Sequence, residues 1–240
     1  ISKTDEENSD YNATFEALRE KYGNKIAPVV VPIWNEGKKV TGIIDVLNKR
    51  AYEMQNGKRV EIDIPEGKEA VITEFNDALK ESVAETSEEF MDKFFGGEDF
   101  TYAEMIQGLR QGVRELSLFP VLCGSAVNTM GSLMLMDYIV DLLPNPMEGN
   151  YHKATRQDGE TEPFVVSPGG VPTAFVFKTV SDQYGKYSYI KVLSGVITSD
   201  LTLVNARTGA SEKLGRLYVM RGKKAEEVKE LSCGDIGAIG

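Results

Sequence analysis

Two short, solidly apolar runs constrain this chain most: "APVVVPI" at residues 27–33 and "LSLFPVLCGSA" at residues 116–126. Neither alternates, and each is bounded by turn or breaker residues. Both therefore read as strands covered on two faces, as in a parallel sheet. Everything between them has a different texture. A chain that leaves a buried sheet at the first run and rejoins it at the second must fold the intervening residues as a unit of their own.

That intervening stretch, residues 34–116, reads as a small inserted α+β unit. Asn56-Gly57 is a hairpin signal between two strand-like runs. Pro65 is expected to open a long acidic helix carrying Val71, Phe75 and Leu79 on its apolar stripe. Thr86-x-x-Glu89 and Thr101-x-x-Glu104 match the capping box and start two further helices. The second of these aligns Tyr102, Ile106, Leu109 and Val113 on one face.

Outside the insertion, residues 9–22 read as a helix. Ser9 or Asp10 caps it, Tyr11, Phe15, Leu18 and Tyr22 form its stripe, and Gly23 ends it. After the second apolar run comes a helix expected to direct Leu133, Met136, Ile139, Val140 and Leu143 inward. It stops at "PNPMEGN", and a Pro-, Gly- and polar-rich linker follows at residues 147–171. From Pro172 on, only strand-like runs remain, among them "TAFVFKTV", "YSYIKVLSGVI" and "DIGAIG". Short strands at close, regular spacing indicate a small β-barrel. The first residues follow directly on an apolar stub and the last run stops in mid-strand, so both ends are expected to be cuts in a longer chain.

Composition excludes several chemistries. No run of eighteen apolar residues occurs, so no membrane helix is expected and the chain reads as soluble and cytosolic. Cys123 and Cys233 belong to no C-x-x-C pair and His152 is the one histidine, which argues against a zinc site or a histidine triad. Between Glu61 and Glu104 fourteen acids face Lys68, Lys80 and Lys93, a balance of −11 within a total of −10. An acidic band of this kind suits a basic protein partner. Basic residues gather near the C-terminus instead: Lys178, Lys186, Lys191, Lys213, Arg216, Arg221, Lys223 and Lys224. There "MRGKKAEEVKEL" offers a cationic loop for RNA phosphates. Trp34 and the Tyr and Phe residues are spaced as core or surface aromatics rather than as a stacking platform.

The chemistry that remains lies in "SKTD" and "CGSA". If a strand ends just before Ser2, its loop leaves at the carboxyl edge of the sheet, where open α/β folds bind ligands. Asp5 could accept from the N1–H and 2-amino groups of guanine, a donor pair that adenine lacks. The Lys3 stem could lie across the purine. From the opposite side the Ala126 amide could donate to O6, with Ser125 beside it. No G-x-x-x-x-G-K-[ST] phosphate loop is present, and "DQYG" (182–185) reads as a turn rather than a magnesium motif.

These residues resemble bacterial translation elongation factor G across essentially the whole chain. "SKTDEENSDYNATFEALREKYG" is similar to the segment holding that family's NKxD guanine motif. "APVVVPI…VTGIIDVLNKRAY" resembles the strand entering its inserted G′ subdomain. "ELSLFPVLCGSAVNTMGSLMLMDYIVDLLPNPME" resembles the return strand, second guanine loop and closing helix. "AFVFKTVSDQYGKYSYIKVLSGVI" and "GRLYVMRGKKAEEVKELSCGDIGAIG" resemble its second domain. The family's asparagine is Ser2 here, a departure that bears on how the guanine pocket is held.

The resemblance implies a partial P-loop-GTPase-like sheet with an inserted α+β subdomain, then a translation-factor-type β-barrel truncated at its C-terminus. Residues 1–33 and 117–146 would be the C-terminal part of the GTPase domain, 34–116 the G′ insertion, and 172–240 an incomplete domain II. It implies a cytoplasmic, ribosome-stimulated GTPase that drives translocation, using GTP or GDP with Mg in the whole protein. Ser2, Lys3, Asp5, Ser125 and Ala126 would hold guanine; the fragment alone would be inactive, monomeric and without tightly bound nucleotide. The ribosomal stalk protein would meet acidic G′ helices through Glu66, Glu69, Glu74, Asp77, Glu81 and Glu85, and ribosomal RNA would meet the barrel. The competing readings are a non-catalytic ribosome- or stalk-binding module, or another ribosomal GTPase of recycling, release or tetracycline-protection type. The large insertion argues against the last.

Overall fold

The structure, a computed structural model, describes residues 1–35, 39–148, 153–155, 159–182 and 185–240. His152, part of the linker and the middle of "DQYG" lie outside them. The chain divides into two compact units, Ile1–Pro144 and Asn145–Gly240.

In the first unit, helix α1 (Tyr11–Tyr22) is capped by the Asp10 carboxylate, which accepts from the Ala13 amide. Tyr11 and Phe15 are buried and stacked at 5.7 Å, and Phe15 meets Phe75 edge-on. Gly23, at φ +66°, ends the helix, and a short 3-10 turn leads into the first apolar run.

That run splits between two sheets. Strand β1 (Ile26–Pro28) pairs in parallel with a strand far downstream. Strand β2 (Val30–Trp34) instead opens an antiparallel meander with β3 (Val40–Asp45), β4 (Arg50–Gln55) and β5 (Lys58–Ile62), in the order β2-β3-β4-β5. Residues 26–33 are all buried, which explains their solid apolar character. Asn56 and Gly57 make the β4–β5 turn, both with positive φ, as a type I′ hairpin requires.

Three helices follow: α2 (Glu69–Ala84), α3 (Glu88–Phe95) and α4 (Tyr102–Glu115). Helix α2 begins four residues after Pro65, and its inward stripe is Ile72, Asn76, Leu79 and Val83; Val71 is exposed. Asn76 is tolerated in its buried place because it donates to the Val46 carbonyl. Helix α3 is capped by Ser87, not Thr86, because the Thr86 hydroxyl already donates to the Val83 carbonyl at the end of α2. The Thr101–Glu104 box does form, and Lys93 adds a 2.7 Å ion pair to Glu104. These partners hold the Glu104 carboxyl at about 2, below its ordinary 4.5, with the Lys93 hydrogen bond the largest cause.

Helix α4 keeps only part of the inward face its large residues suggest: Leu109 is fully buried and Ile106 packs on the core, but the face is centred elsewhere. Met105, Gly108, Leu109 and Gly112 are buried, while Tyr102 is exposed. A Cβ on Gly108 would lie 2.5 Å from Val83 Cγ1, and one on Gly112 would lie 2.7 Å from Leu118. The glycines are thus the closest points of packing against α2 and the return strand.

Strand β6 (Phe119–Val121) is that return strand, paired in parallel with β1 as Ile26–Phe119, Ala27–Pro120 and Pro28–Val121. Helix α5 (Ser132–Leu142) buries Met134, Tyr138 and Leu142. Leu133, Met136, Ile139, Val140 and Leu143, the expected inner face, are exposed. This helix is apolar nearly all round, so its periodicity allowed more than one stripe. Tyr138 decides the orientation: its hydroxyl donates to the buried Asp45 carboxylate at 2.6 Å. Burial and the adjacent Asp45 push the Tyr138 phenol up, so it stays a donor.

The second unit is β-rich. A small hairpin of β7 (Lys153–Thr155) and β8 (Thr161–Pro163) lies in the Pro- and Gly-rich stretch. Beyond it run β9 (Thr173–Asp182), β10 (Gly185–Ser194), β11 (Val196–Thr198), β12 (Thr202–Val204) and β13 (Ser211–Lys213). The last four are β14 (Leu217–Arg221), β15 (Lys224–Val228), β16 (Glu230–Ser232) and β17 (Ile236–Ile239). Five of them form one antiparallel sheet in the order β15-β14-β17-β10-β9, with β11–β16 and β12–β13 as separate pairs. Its core is Ile190, Val192, Ile197, Leu217 and Leu231.

Gly112→Ala should destabilise the first unit by about 1–3 kcal/mol despite the better helix propensity of Ala, because three Leu118 atoms must move. Urea denaturation of the chain measures this; equal or greater stability would show that α4 packs less tightly than described. A second expectation concerns pH. The lowered Glu104 carboxyl contributes stability that is complete above pH 4.5 and lost as pH falls through about 2. Glu104→Gln should therefore flatten the fall in urea midpoint across that window, and an unchanged slope would remove the argument.

Candidate functional site

The site begins with backbone pairing between the first residues of the chain and those that follow β6. The Ile1 amino group donates to the Leu122 carbonyl at 2.6 Å, the Gly124 amide to the Ile1 carbonyl at 3.1 Å, and the Thr4 amide to the Gly124 carbonyl at 3.3 Å. This staggered pattern is that of parallel strands. Residues 1–4 therefore run beside 122–124, on the opposite side of the β6 strand from β1. Both connections, "SKTD" and "CGSA", leave at the carboxyl edge of the sheet.

After Thr4 the first loop turns. Lys3 has φ +62°, an uncommon conformation for a residue with a side chain. The Glu6 amide donates to the Lys3 carbonyl, and the Ser9 hydroxyl to the Thr4 carbonyl. The loop is thus pinned to the start of α1. Lys3 is exposed, Asp5 half-buried, and Thr4 between them is buried.

The second loop is closed by two glycines whose signal in the sequence is easily passed over. A Cβ on Gly124 would strike the Met130 carbonyl at 2.4 Å, and one on Gly131, at φ +77°, would strike the Cys123 carbonyl at 2.5 Å. The Ser125 amide donates to the Met130 carbonyl, and the Asn128 side chain accepts from the Met130 amide. This fold-back leaves Ala126 exposed at the tip and Ser125 buried below it.

A concavity of about 350 Å³ joins the two loops. It is lined by Ile1, Ser2, Gly124, Ser125, Ala126 and the first turn of α5 at Ser132 and Leu135, among others. Ser2, Ser125 and Ala126 are thus brought together on one surface. Lys3 and Asp5 belong to the same loop but are not part of this lining. A smaller hollow of about 140 Å³ is lined by Thr4, Ser9, Asp10, Tyr11 and Trp34, among others.

Beneath both loops three hydroxyls, those of Thr4, Tyr11 and Ser125, are buried without a hydrogen-bond partner. Each unmet group costs about 1–3 kcal/mol. Burial, with Cys123 beside it, pushes the Tyr11 phenol up, and burial pushes the Cys123 thiol up to about 12. Neither is a nucleophile or base at neutral pH. Among the described residues no group of three or more His, Cys, Asp or Glu side chains is placed to hold a metal ion.

Two charged surfaces lie elsewhere. Glu66, Glu69, Glu74, Asp77, Glu81 and Glu85 are all exposed along and beside α2. Lys80 pairs with Asp77 at 3.7 Å and Asp99 at 2.7 Å. On the second unit, Arg221, Lys223 and Lys224 form the exposed tip of the β14–β15 hairpin.

Known proteins resemble this chain in sequence and fold. Residues 172–240 match the family model described as elongation factor G domain 2. An elongation factor G-like protein of Thermotoga maritima is 34% identical over 98% of this chain. Over nearly its whole length the chain is thus similar to part of an elongation factor G-like protein, and residues 172–240 carry the likeness to that factor's second domain. A crystal structure from Thermus thermophilus superposes on all of it with a TM-score of 0.82 at 29% identity. The chain spans 34% of the length of the Thermotoga relative and 33% of that of the Thermus one. A mixed α/β part followed by a β-rich domain 2 is the arrangement these likenesses support.

Proposed function

We propose that this elongation-factor-G-like chain is the guanine-reading and partner-docking part of a ribosome-stimulated GTPase that promotes translocation. The observation that carries the reading is the set of three backbone hydrogen bonds that ties Ile1 and Thr4 to Leu122 and Gly124. It puts two loops distant in sequence on one sheet edge, where a base can be held from both sides. Asp5 would accept from the guanine N1–H and 2-amino groups, the Ala126 amide would donate to O6, and the Lys3 stem would cover the ring. Ser2 would stand where the family's asparagine braces the loops. The unmet Ser125 hydroxyl marks a loop whose polar groups are not all satisfied in the free chain.

The nucleotide would bring its phosphates and magnesium to groups outside these loops, since the sequence has no phosphate loop. Hydrolysis in the whole protein would be attack of water on the γ-phosphate. The residues present here bind and select the base. In this reading residues 34–116 are the G′ insertion, 147–171 a linker and 172–240 a barrel-like second domain set against ribosomal RNA. The exposed apolar face of α5 would pack against the remainder of the GTPase domain, consistent with its size. The alternative of a purely docking, non-catalytic module keeps the same surfaces but needs no guanine selectivity.

Two experiments separate these readings. In NMR titrations, GDP should bind the chain weakly and shift the amides of Asp5 and Ala126, while ADP should not; Asp5→Asn should abolish the difference. Equal shifts from both nucleotides would leave the docking module standing alone. Titration with the basic C-terminal domain of the ribosomal stalk protein should shift the signals of Glu74 and Glu81 in α2 and of Glu85 at its end, and weaken as salt rises. Unmoved α2 signals at low salt would remove the stalk assignment.

A further inference from the structure

The outer face of the β9-β10-β17-β14 sheet gathers aromatic rings that are scattered in the sequence. Ile190, Val192 and Leu217 are fully buried on the inner face. Alternation therefore turns Tyr187, Tyr189, Lys191 and Tyr218 outward. The register agrees: Tyr189 lies opposite Lys178 on one side and Ala238 on the other, and Tyr218 also lies opposite Ala238. Ala238 is fully buried between these two tyrosines. The Tyr187 and Tyr218 rings meet edge-on at 5.5 Å, and Phe177 tilts against Tyr189 at 6.3 Å. Lys191 lies between Phe175 and Ile236.

Part of this face is open to solvent: Phe175 is 57% exposed, Phe177 47% and Ile236 58%, while Tyr187, Tyr189, Lys191 and Tyr218 are half-buried. Its charge is positive. Lys178 and Lys191 have no ion-pair partner among the described residues, and the carboxylate opposite Tyr218, that of Glu227, is already paired with Arg216 at 3.5 Å. Residues 172–240 together carry ten Lys and Arg against seven Asp and Glu. Exposed rings interleaved with unpaired lysines suit a ligand that presents flat π-faces and anionic groups in alternation.

We propose that this face is a stacking platform for unpaired RNA bases, with Lys178 and Lys191 on the adjoining phosphates. The proposal rests on the reading that residues 172–240 meet RNA, and adds the mode and the surface. The hairpin tip at Arg221, Lys223 and Lys224 has charge but no rings, so it can hold phosphates of a duplex without reading unstacked bases.

The test is fluorescence anisotropy of the whole chain with a labelled short oligouridylate and with an RNA duplex of equal length. The single strand should bind better than the duplex. Phe177→Leu and Tyr189→Leu keep apolar cover over the sheet but remove the π-face, and each should weaken single-strand binding by about tenfold. Lys178→Gln and Lys191→Gln, at exposed or half-buried positions, should each lower the salt slope by roughly 0.7. Thermal melts check that the variants fold, and the lysine pair carries the test if an aromatic variant does not. If RNA binds but only Lys223 and Lys224 substitutions weaken it, the platform is wrong while the RNA reading stands. If neither RNA form binds, both fall.

Discussion

Three backbone hydrogen bonds, from Ile1 to Leu122, Gly124 to Ile1 and Thr4 to Gly124, decide what the rest of the first unit can do. They fix two loops, one at each end of a long detour, to the same edge of a parallel sheet. Parallel pairing requires a crossover connection, and here part of that crossover is the whole meander-and-helix insertion. The insertion can be large without disturbing the site because it leaves and re-enters through adjacent strands. The β1–β6 pair is its neck, and the Val29 amide bonded to Val121 closes it.

The switch between sheets occurs within one apolar run. Pro28 still pairs with β6, and two residues later Val30 pairs with Asp45. Val29 serves both sides: its amide donates to Val121 and its carbonyl accepts from Val46. Such a run is solidly apolar because each part is covered on two faces, by different partners. The acidic surface of α2 is then carried on a body whose core is continuous with that of the sheet. A partner on α2 and a ligand at the loop edge would act on one packed unit.

Much of this was legible in the sequence. The first buried run, the Asn56-Gly57 turn, the Asp10 cap and the Thr101–Glu104 box all depend on local chemistry, and local chemistry is what a sequence displays; the second run does return to the sheet, but it is not covered on both faces, since Leu116 and Phe119 are exposed. The helix faces were less legible. On α4 two of the four inward positions are glycines, which a count of large apolar residues overlooks, although it is their smallness that admits Val83 and Leu118. On α5 an almost uniformly apolar helix offers several stripes, and a tyrosine–aspartate hydrogen bond 93 residues apart in sequence selects one. Thr86 and Ser87 compete for one cap, and the end of the preceding helix takes Thr86. The aromatic rings of β9, β10 and β14 share a face only through strand register, including the irregularity at Tyr189–Ile190 that no spacing rule supplies.

The candidate site shows the same division. The two loops are named by their residues, and pairing brings them together, yet the concavity is lined by Ser2, Ser125 and Ala126 without Lys3 or Asp5. The cause is local: Lys3 takes a left-handed backbone conformation, and Thr4 is drawn inward by its bond to Gly124. The three unmet hydroxyls beneath the loops show what this arrangement lacks. Thr4, Tyr11 and Ser125 are polar groups buried under the edge, and no described group answers them. A loop pair that leaves donors unmet is less stable than one that satisfies them, so any ligand or neighbouring side chain that completes the set is favoured by that difference. An asparagine in place of Ser2 would bring both a donor and an acceptor to this edge, where serine has a shorter reach. The residue at position 2 and the unmet hydroxyls therefore belong to one physical question: how firmly the two loops are held before anything binds between them.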